Sequence, residues 1–244
     1  EIPMAEMKLE DITVSLTSND GETLVEYTTY VRGRKQPITP RKPVLRPCEI
    51  ETVEELYING LHLEQYKQHN YDARDYYLEG IKRDNHAIRC NTGMARISFK
   101  NGQFEDCLYY AQNAIKRATS RNMHPSDTEA LYFKGLALKA MGKLKEAYDA
   151  LAMATWDYGF ISAANHEMAL LDCLNHNFDE AIEKLDTSLK YNTDHTKASN
   201  LKAVILRKLG KSTDAQDILK KVRAYDPLDM YSAVEMLNFG GSPK

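Results

Sequence analysis

With 244 residues, 43% of them hydrophobic, the chain can bury a substantial core, and its formal charge of −3 gives no overall attraction to nucleic acid or to a membrane surface. No apolar run approaches the ~20 residues of a membrane-spanning helix, and nothing at the start reads as a secretion signal. Cys48, Cys90, Cys107 and Cys173 have neither metal-binding nor redox spacing and read as free thiols in a reducing, cytoplasmic setting.

Residues 1–31 form a β-rich segment. Apolar residues alternate at Ile12, Val14 and Leu16, Asn19-Asp20-Gly21 is a turn signal, and a second β-rich run follows through Tyr30. Two or three strands are not stable alone. They must lie on the rest of the chain, pair with another chain, or end a larger β-domain, and the start at Glu1 without Met suits the last of these. Residues 32–51 carry Pro37, Pro40, Pro43 and Pro47 among Arg32, Arg34, Lys35, Arg41, Lys42 and Arg46, which describes a semi-rigid polyproline connector. Six positive charges also suit an anion or nucleic-acid contact, but no aromatic residues interleave with them.

From residue 52 to 227 the chain repeats. Ala73, Cys107, Ala147, Ala181 and Ala215 are separated by 34, 40, 34 and 34 residues. Small residues recur twelve before these anchors at Ala95, Gly135, Ala169 and Ala203, and small or modest ones seven after at Gly80, Ala114, Ala154, Ser188 and Val222. Five before, Gly102, Gly142 and Gly210 mark tight turns, with His176 and Gln68 in the other two units. Helices approach to ~8–10 Å only where crossing points carry little side-chain volume, so this periodicity predicts about five stacked helix–turn–helix units. Gly60 lies thirteen residues before Ala73, which places an extra residue in the first turn, and the 40-residue interval is an insertion around Arg121–Asp127. Thr52 with Glu55, and Ser126 with Glu129, read as capping boxes. Residues 228–244 form a final helix and tail in which Met230, Val234 and Leu237 cover the last unit.

The run EALYFKGLALKAMGKLKEAYDALAMA from Glu129 and the terminal Asp226-Pro227 resemble the tetratricopeptide repeat. The resemblance implies an all-α fold, a right-handed α-solenoid with a C-terminal capping helix, here preceded by the short β-rich segment. A narrower resemblance rests on ETVEELYINGLHLEQYKQHNYDARDYYLEGIKRDNHAIRCNTGMA, RATSRNMHPSDTEALYFKGLAL and the MATW at Met153–Trp156. It is to the C-terminal repeat region of large bacterial proteins with an upstream mutarotase-like β-domain, and it implies a carbohydrate-related context without transferring a catalytic residue.

In this family the first helix of each unit lines a concave groove. Carried over by position, that groove holds Tyr57, Glu64, Arg89, Thr92, Arg96, Lys100, Tyr132, Lys139, His166, Asn200 and Arg207, with Leu136, Leu170 and Val204 between them. The floor is expected to be basic in the second unit, and Arg96 is expected to be exposed. The Lys and Asn clamp that holds C-terminal carboxylates in some relatives is absent, since its positions carry Tyr57 and Leu61, Thr92 and Arg96, or Tyr132 and Leu136. Trp156 reads as inter-repeat packing, with the inserted loop among its partners, in preference to a sugar-stacking platform. No catalytic, metal or cofactor motif is found. The leading reading is a non-catalytic scaffold binding a peptide, a partner protein or its own upstream β-domain, without nucleic acid or membrane. The alternative is an accessory region of a carbohydrate-active or sugar-binding protein.

Overall fold

The chain is described by a computed structural model at residues 8, 12–28, 44–66 and 70–239. Most of the expected connector, the tail 240–244, Gln68 and His69 lie outside the described residues. Two compact units divide at Val44 and Leu45.

In the first unit, β1 (Thr13–Thr17) pairs antiparallel with β2 (Thr23–Thr28) through the expected turn, where Gly21 adopts φ +82°. Val14 lies opposite Tyr27 and Leu16 opposite Val25, so the hairpin has one apolar face, and all four side chains are exposed.

The second unit is helical. A 3-10 turn at Pro47–Glu49 precedes α1 (Val53–Tyr66) and α2 (Ala73–Arg83), then α3 (Ile88–Lys100) and α4 (Phe104–Ala118). α5 (Glu129–Ala140) pairs with α6 (Leu144–Ala154), α7 (Tyr158–Leu174) with α8 (Phe178–Tyr191), and α9 (Thr196–Lys208) with α10 (Ser212–Tyr225); α11 (Met230–Leu237) ends the series. Each helix packs on the next, and several first helices also touch those of the adjoining unit. Residues 45–51, assigned to the connector by composition, belong to this unit. Arg83 donates to the carbonyls of Pro47, Ile50 and Glu51, and the Tyr76 hydroxyl donates to that of Leu45.

Small residues hold the helices at close range. The five anchors, the four positions twelve before them and the five positions seven after them are all buried. Leu131, Leu138, Leu151, Met168 and Leu171 fill the space around them in the central units. A β-carbon at Gly135 would meet Leu151 Cγ at 2.7 Å, which shows how near α5 and α6 lie.

The turns follow one design. Gly102, Gly142 and Gly210 adopt φ of +74°, +77° and +78°, and each N–H bonds three residues back while the next residue's N–H bonds five back. This double bond is the Schellman motif. His176 occupies the same slot at φ +61°. A left-handed non-glycine residue costs ~1–2 kcal/mol, offset by the extra freedom glycine has when unfolded. His176→Gly is therefore expected to stabilise the chain by about 0.5–1 kcal/mol, read as a higher urea midpoint.

Two expectations need correction. The Thr52 and Glu55 box forms, with the Glu55 N–H donating to Thr52 Oγ1 at 3.2 Å and the Thr52 N–H to Glu55 Oε2 at 3.4 Å. The Ser126 and Glu129 box does not, because α5 starts only at Glu129, whose N–H donates to Asp127, and Glu129 instead pairs with Arg96. In α11, Met230, Val234 and Leu237 face outward; Ser232 and Glu235 are the buried residues, and Met236 with Phe239 packs on the last unit. The stripe with helical spacing is thus the uncovered one.

Candidate functional site

The surface made by α1, α3, α5, α7, α9 and α11 is crossed by polar contacts between successive first helices. Arg96 on α3 donates to both oxygens of Glu64 on α1 at 2.9–3.1 Å and, on its other side, to Glu129 at the start of α5. Lys100 also reaches Glu64, at 2.6 Å, and Arg89 pairs with Glu54. Further along, Lys139 on α5 pairs with Glu167 on α7, Asn200 on α9 donates to Asp229 at 2.8 Å, and Arg207 pairs with Glu235 on α11. These rungs join residues about one repeat apart in sequence.

The rungs change the electrostatics expected of the second unit. Each of Arg89, Arg96 and Lys100 has a carboxylate partner, so the basic floor is neutralised. The Arg96 side chain is 13% exposed, contrary to the expectation of an open groove residue, because Glu64, Glu129 and the Tyr77 hydroxyl surround it. Burial opposes ionisation of Glu64, but hydrogen bonds from Arg96 and Lys100 outweigh it and hold the carboxyl below its ordinary range. Glu167 responds more strongly. Burial is again overcome, by His166 and Lys139, and its pKa falls to about 2.

The remaining expected residues divide by accessibility. Thr92 is buried and returns its hydroxyl to the Ile88 carbonyl at 2.9 Å, and Asn200 is buried behind Asp229. Tyr57 is half-buried beneath the Arg89 guanidinium, 5.4 Å from its ring centroid. Tyr132, half-buried, and His166, buried at 8% exposure, line the floor of an open depression of about 590 Å³ formed by α5, α7 and the start of α9, together with Glu167, Leu170, Asp194 and His195. Tyr132 is pushed up to about 12 by burial and stays neutral, with its ring 5.2 Å from that of Phe160.

His195 caps α9, its Nδ1 accepting the Ala198 N–H at 3.1 Å, and its ring lies 5.0 Å from that of His166. Burial first, and the neighbouring His166 second, depress its pKa. A depressed folded-state pKa gives stability that is complete above the unfolded value of ~6.5 and is lost as pH falls below it. Unfolding midpoints should therefore fall in the wild type as the pH is taken below ~6.5. His195→Asn, which keeps an accepting cap, should flatten that part of the profile.

Sequence reasoning missed Glu54, Glu129, Glu167 and Glu235 as rungs. The available signal was opposite charge at matching positions of neighbouring units, as with Arg96 and Glu129, 33 residues apart. Trp156 has the expected partner in the inserted loop, His124 at 4.2 Å, although the indole remains 43% exposed. Cys90 and Cys107 are buried thiols pushed up to about 12, which keeps them protonated. Among the described residues no helix is long and apolar enough to cross a membrane.

Stacked helix pairs with a first-helix surface define the class of helical-repeat proteins. The tetratricopeptide-repeat family profile matches residues 92–158 and 175–231, and the chain belongs to that family. Its fold is similar to that of PilF from Pseudomonas aeruginosa, with TM-score 0.63 and 17% identity over 74% of this chain and 79% of that one. It is also similar to MamA, with TM-score 0.56 and 17% identity over 70% and 91% of the two chains. YrrB, described as a TPR protein with an unusual peptide-binding site, aligns with TM-score 0.54 and 16% identity over 72% and 88%.

Proposed function

We propose that the repeat array is a non-catalytic interaction scaffold whose first-helix surface takes an extended peptide or protein segment at the depression around Tyr132, His166, Leu170 and His195. The supporting observation is the contrast along that surface. In the second unit Arg89, Arg96 and Lys100 are consumed by rungs, whereas the concavity of about 590 Å³ here places Tyr132, Leu170 and His195 beside Asp194 and Lys197; a second concavity, of about 510 Å³, lies at Tyr57 and Arg89. Such a site combines a small apolar anchor, Leu170 with the Tyr132 ring, with the polar groups of Asn192, Asp194, His195, Thr196 and Lys197, which suits a segment bearing both an apolar side chain and free backbone groups. Tyr57 and Arg89 extend the same surface toward the first unit of the array.

The narrower resemblance suggests the occupant: the chain's own upstream β-domain, in a carbohydrate-related, cytoplasmic bacterial protein. A displayed random-peptide library selected on the immobilised chain tests the surface itself. Selected peptides should lose at least tenfold in affinity with Leu170→Lys and be unaffected by Tyr158→Ser, an exposed aromatic outside the depression. Failure to select any peptide, with binding of oligosaccharides lost in Trp156→Ala, would favour the carbohydrate reading instead.

A further inference from the structure

α11 starts 34 residues after α9 and contacts the array as a first helix contacts its predecessor, through Arg207 with Glu235 and Asn200 with Asp229. Its opposite face is uncovered. Met230, Val234 and Leu237, at i, i+4 and i+7, are 73%, 58% and 48% exposed, flanked by Leu228 at 86% and Tyr231 at 59%. One and two repeats earlier, the positions equivalent to Leu237 are Ala203 and Ala169, both fully buried.

We infer that this face pairs with the same face of a second copy of the chain, α11 against α11 about a two-fold axis. Size is the first reason. The five side chains expose roughly 600 Å² of mainly apolar surface, the upper end of what the largest patch on a monomer reaches, and two copies together would bury about 1,200 Å², the lower edge of a specific interface. Charge is the second. The helix and its cap carry only Asp229 and Glu235, and both are bound within their own chain, to Asn200 and Ser232 and to Arg207, so pairing brings no unmatched like charges together. Symmetry is the third. Antiparallel packing of a stripe two turns long sets Met230 of one copy beside Leu237 of the other, with Val234 near the axis, so one patch completes both sides.

Interfaces at the low end of the size range are mostly weak and reversible, and the dissociation constant expected here is in the micromolar range. Sedimentation equilibrium of the wild-type chain should show a reversible monomer–dimer exchange. Val234→Lys should raise the dissociation constant at least tenfold with unchanged helical circular dichroism. Met230→Lys, at a more exposed site, gives the same readout should the first variant fold poorly. Val25→Lys in the exposed hairpin should leave association unchanged. A wild-type chain that remains monomeric to about 100 µM would overturn the inference. So would a dimer that survives both α11 substitutions or one abolished by Val25→Lys, which would place the contact in the hairpin.

Discussion

Replacing Arg96 by alanine is expected to cost about 3 kcal/mol of folding stability, seen as a large drop in the urea midpoint. The guanidinium links three first helices: it donates twice to Glu64 on α1 and once to Glu129 on α5 from its place on α3. Its removal leaves Glu129 without this partner and Glu64 with only the exposed Lys100 and the Tyr77 hydroxyl, while both carboxylates remain largely shielded at 22% and 14% exposure. Breaking a buried pair from one side costs ~3–5 kcal/mol, and the residual solvation of the glutamates places this case at the low end. The loss should also depend on pH. Glu64's carboxyl is held low in the folded state, so its contribution is present above an unfolded pKa of ~4.3 and disappears as pH falls through the folded value. Wild type and Arg96→Ala should therefore converge in acid. Arg96→Lys should fall between them, since an ammonium cannot form the fork to Glu64.

Gly93→Ala is expected to cost about 2–3 kcal/mol, with Gly60→Ala close behind. Tyr77 on α2 is fully buried between the two glycines. A β-carbon at Gly93 would lie 2.7 Å from two ring carbons, and one at Gly60 would lie 2.6 Å from Tyr77 Cε1. The ring cannot retreat from one helix without striking the other, so added volume is taken up by separation of α1, α2 and α3. The Tyr77 hydroxyl meets Glu64 at 3.3 Å and Arg96 at 3.4 Å, which couples this packing to the ion-pair network. Substitution at Gly102 should behave differently. A β-carbon there meets nothing within 4 Å, and the penalty comes only from φ +74°. Hydrogen exchange separates the two mechanisms: Gly93→Ala should deprotect amides in α1 to α3, whereas Gly102→Ala should lower stability without singling out those helices.

The architecture was legible because volume and turn chemistry are local. Alanine, glycine and cysteine at fixed intervals identified the helix crossings, and glycine before three of the five second helices identified left-handed turns. His176 was located by register alone, without the residue type that usually marks the slot. The polar surface was less legible. A charge placed on the first-helix face by period has two outcomes, ligand contact or pairing with the next unit, and the choice depends on side-chain reach across helices that one helix's pattern does not encode. Arg96 and Lys100 therefore read as part of an open basic floor, and both are paired with carboxylates. The stripe Met230, Val234 and Leu237 failed in a related way: helical spacing shows which residues share a face, but not which face meets the array.

The most direct test of the interaction surface is amide and methyl chemical-shift mapping of the labelled chain with a selected peptide. The account predicts perturbations concentrated at Tyr132, His166, Leu170 and His195, with Trp156 and the outer face of α8 unchanged. Perturbations confined to the second helices, or to the Arg121–Asp127 loop and Trp156, with the α5–α9 depression silent, would contradict it.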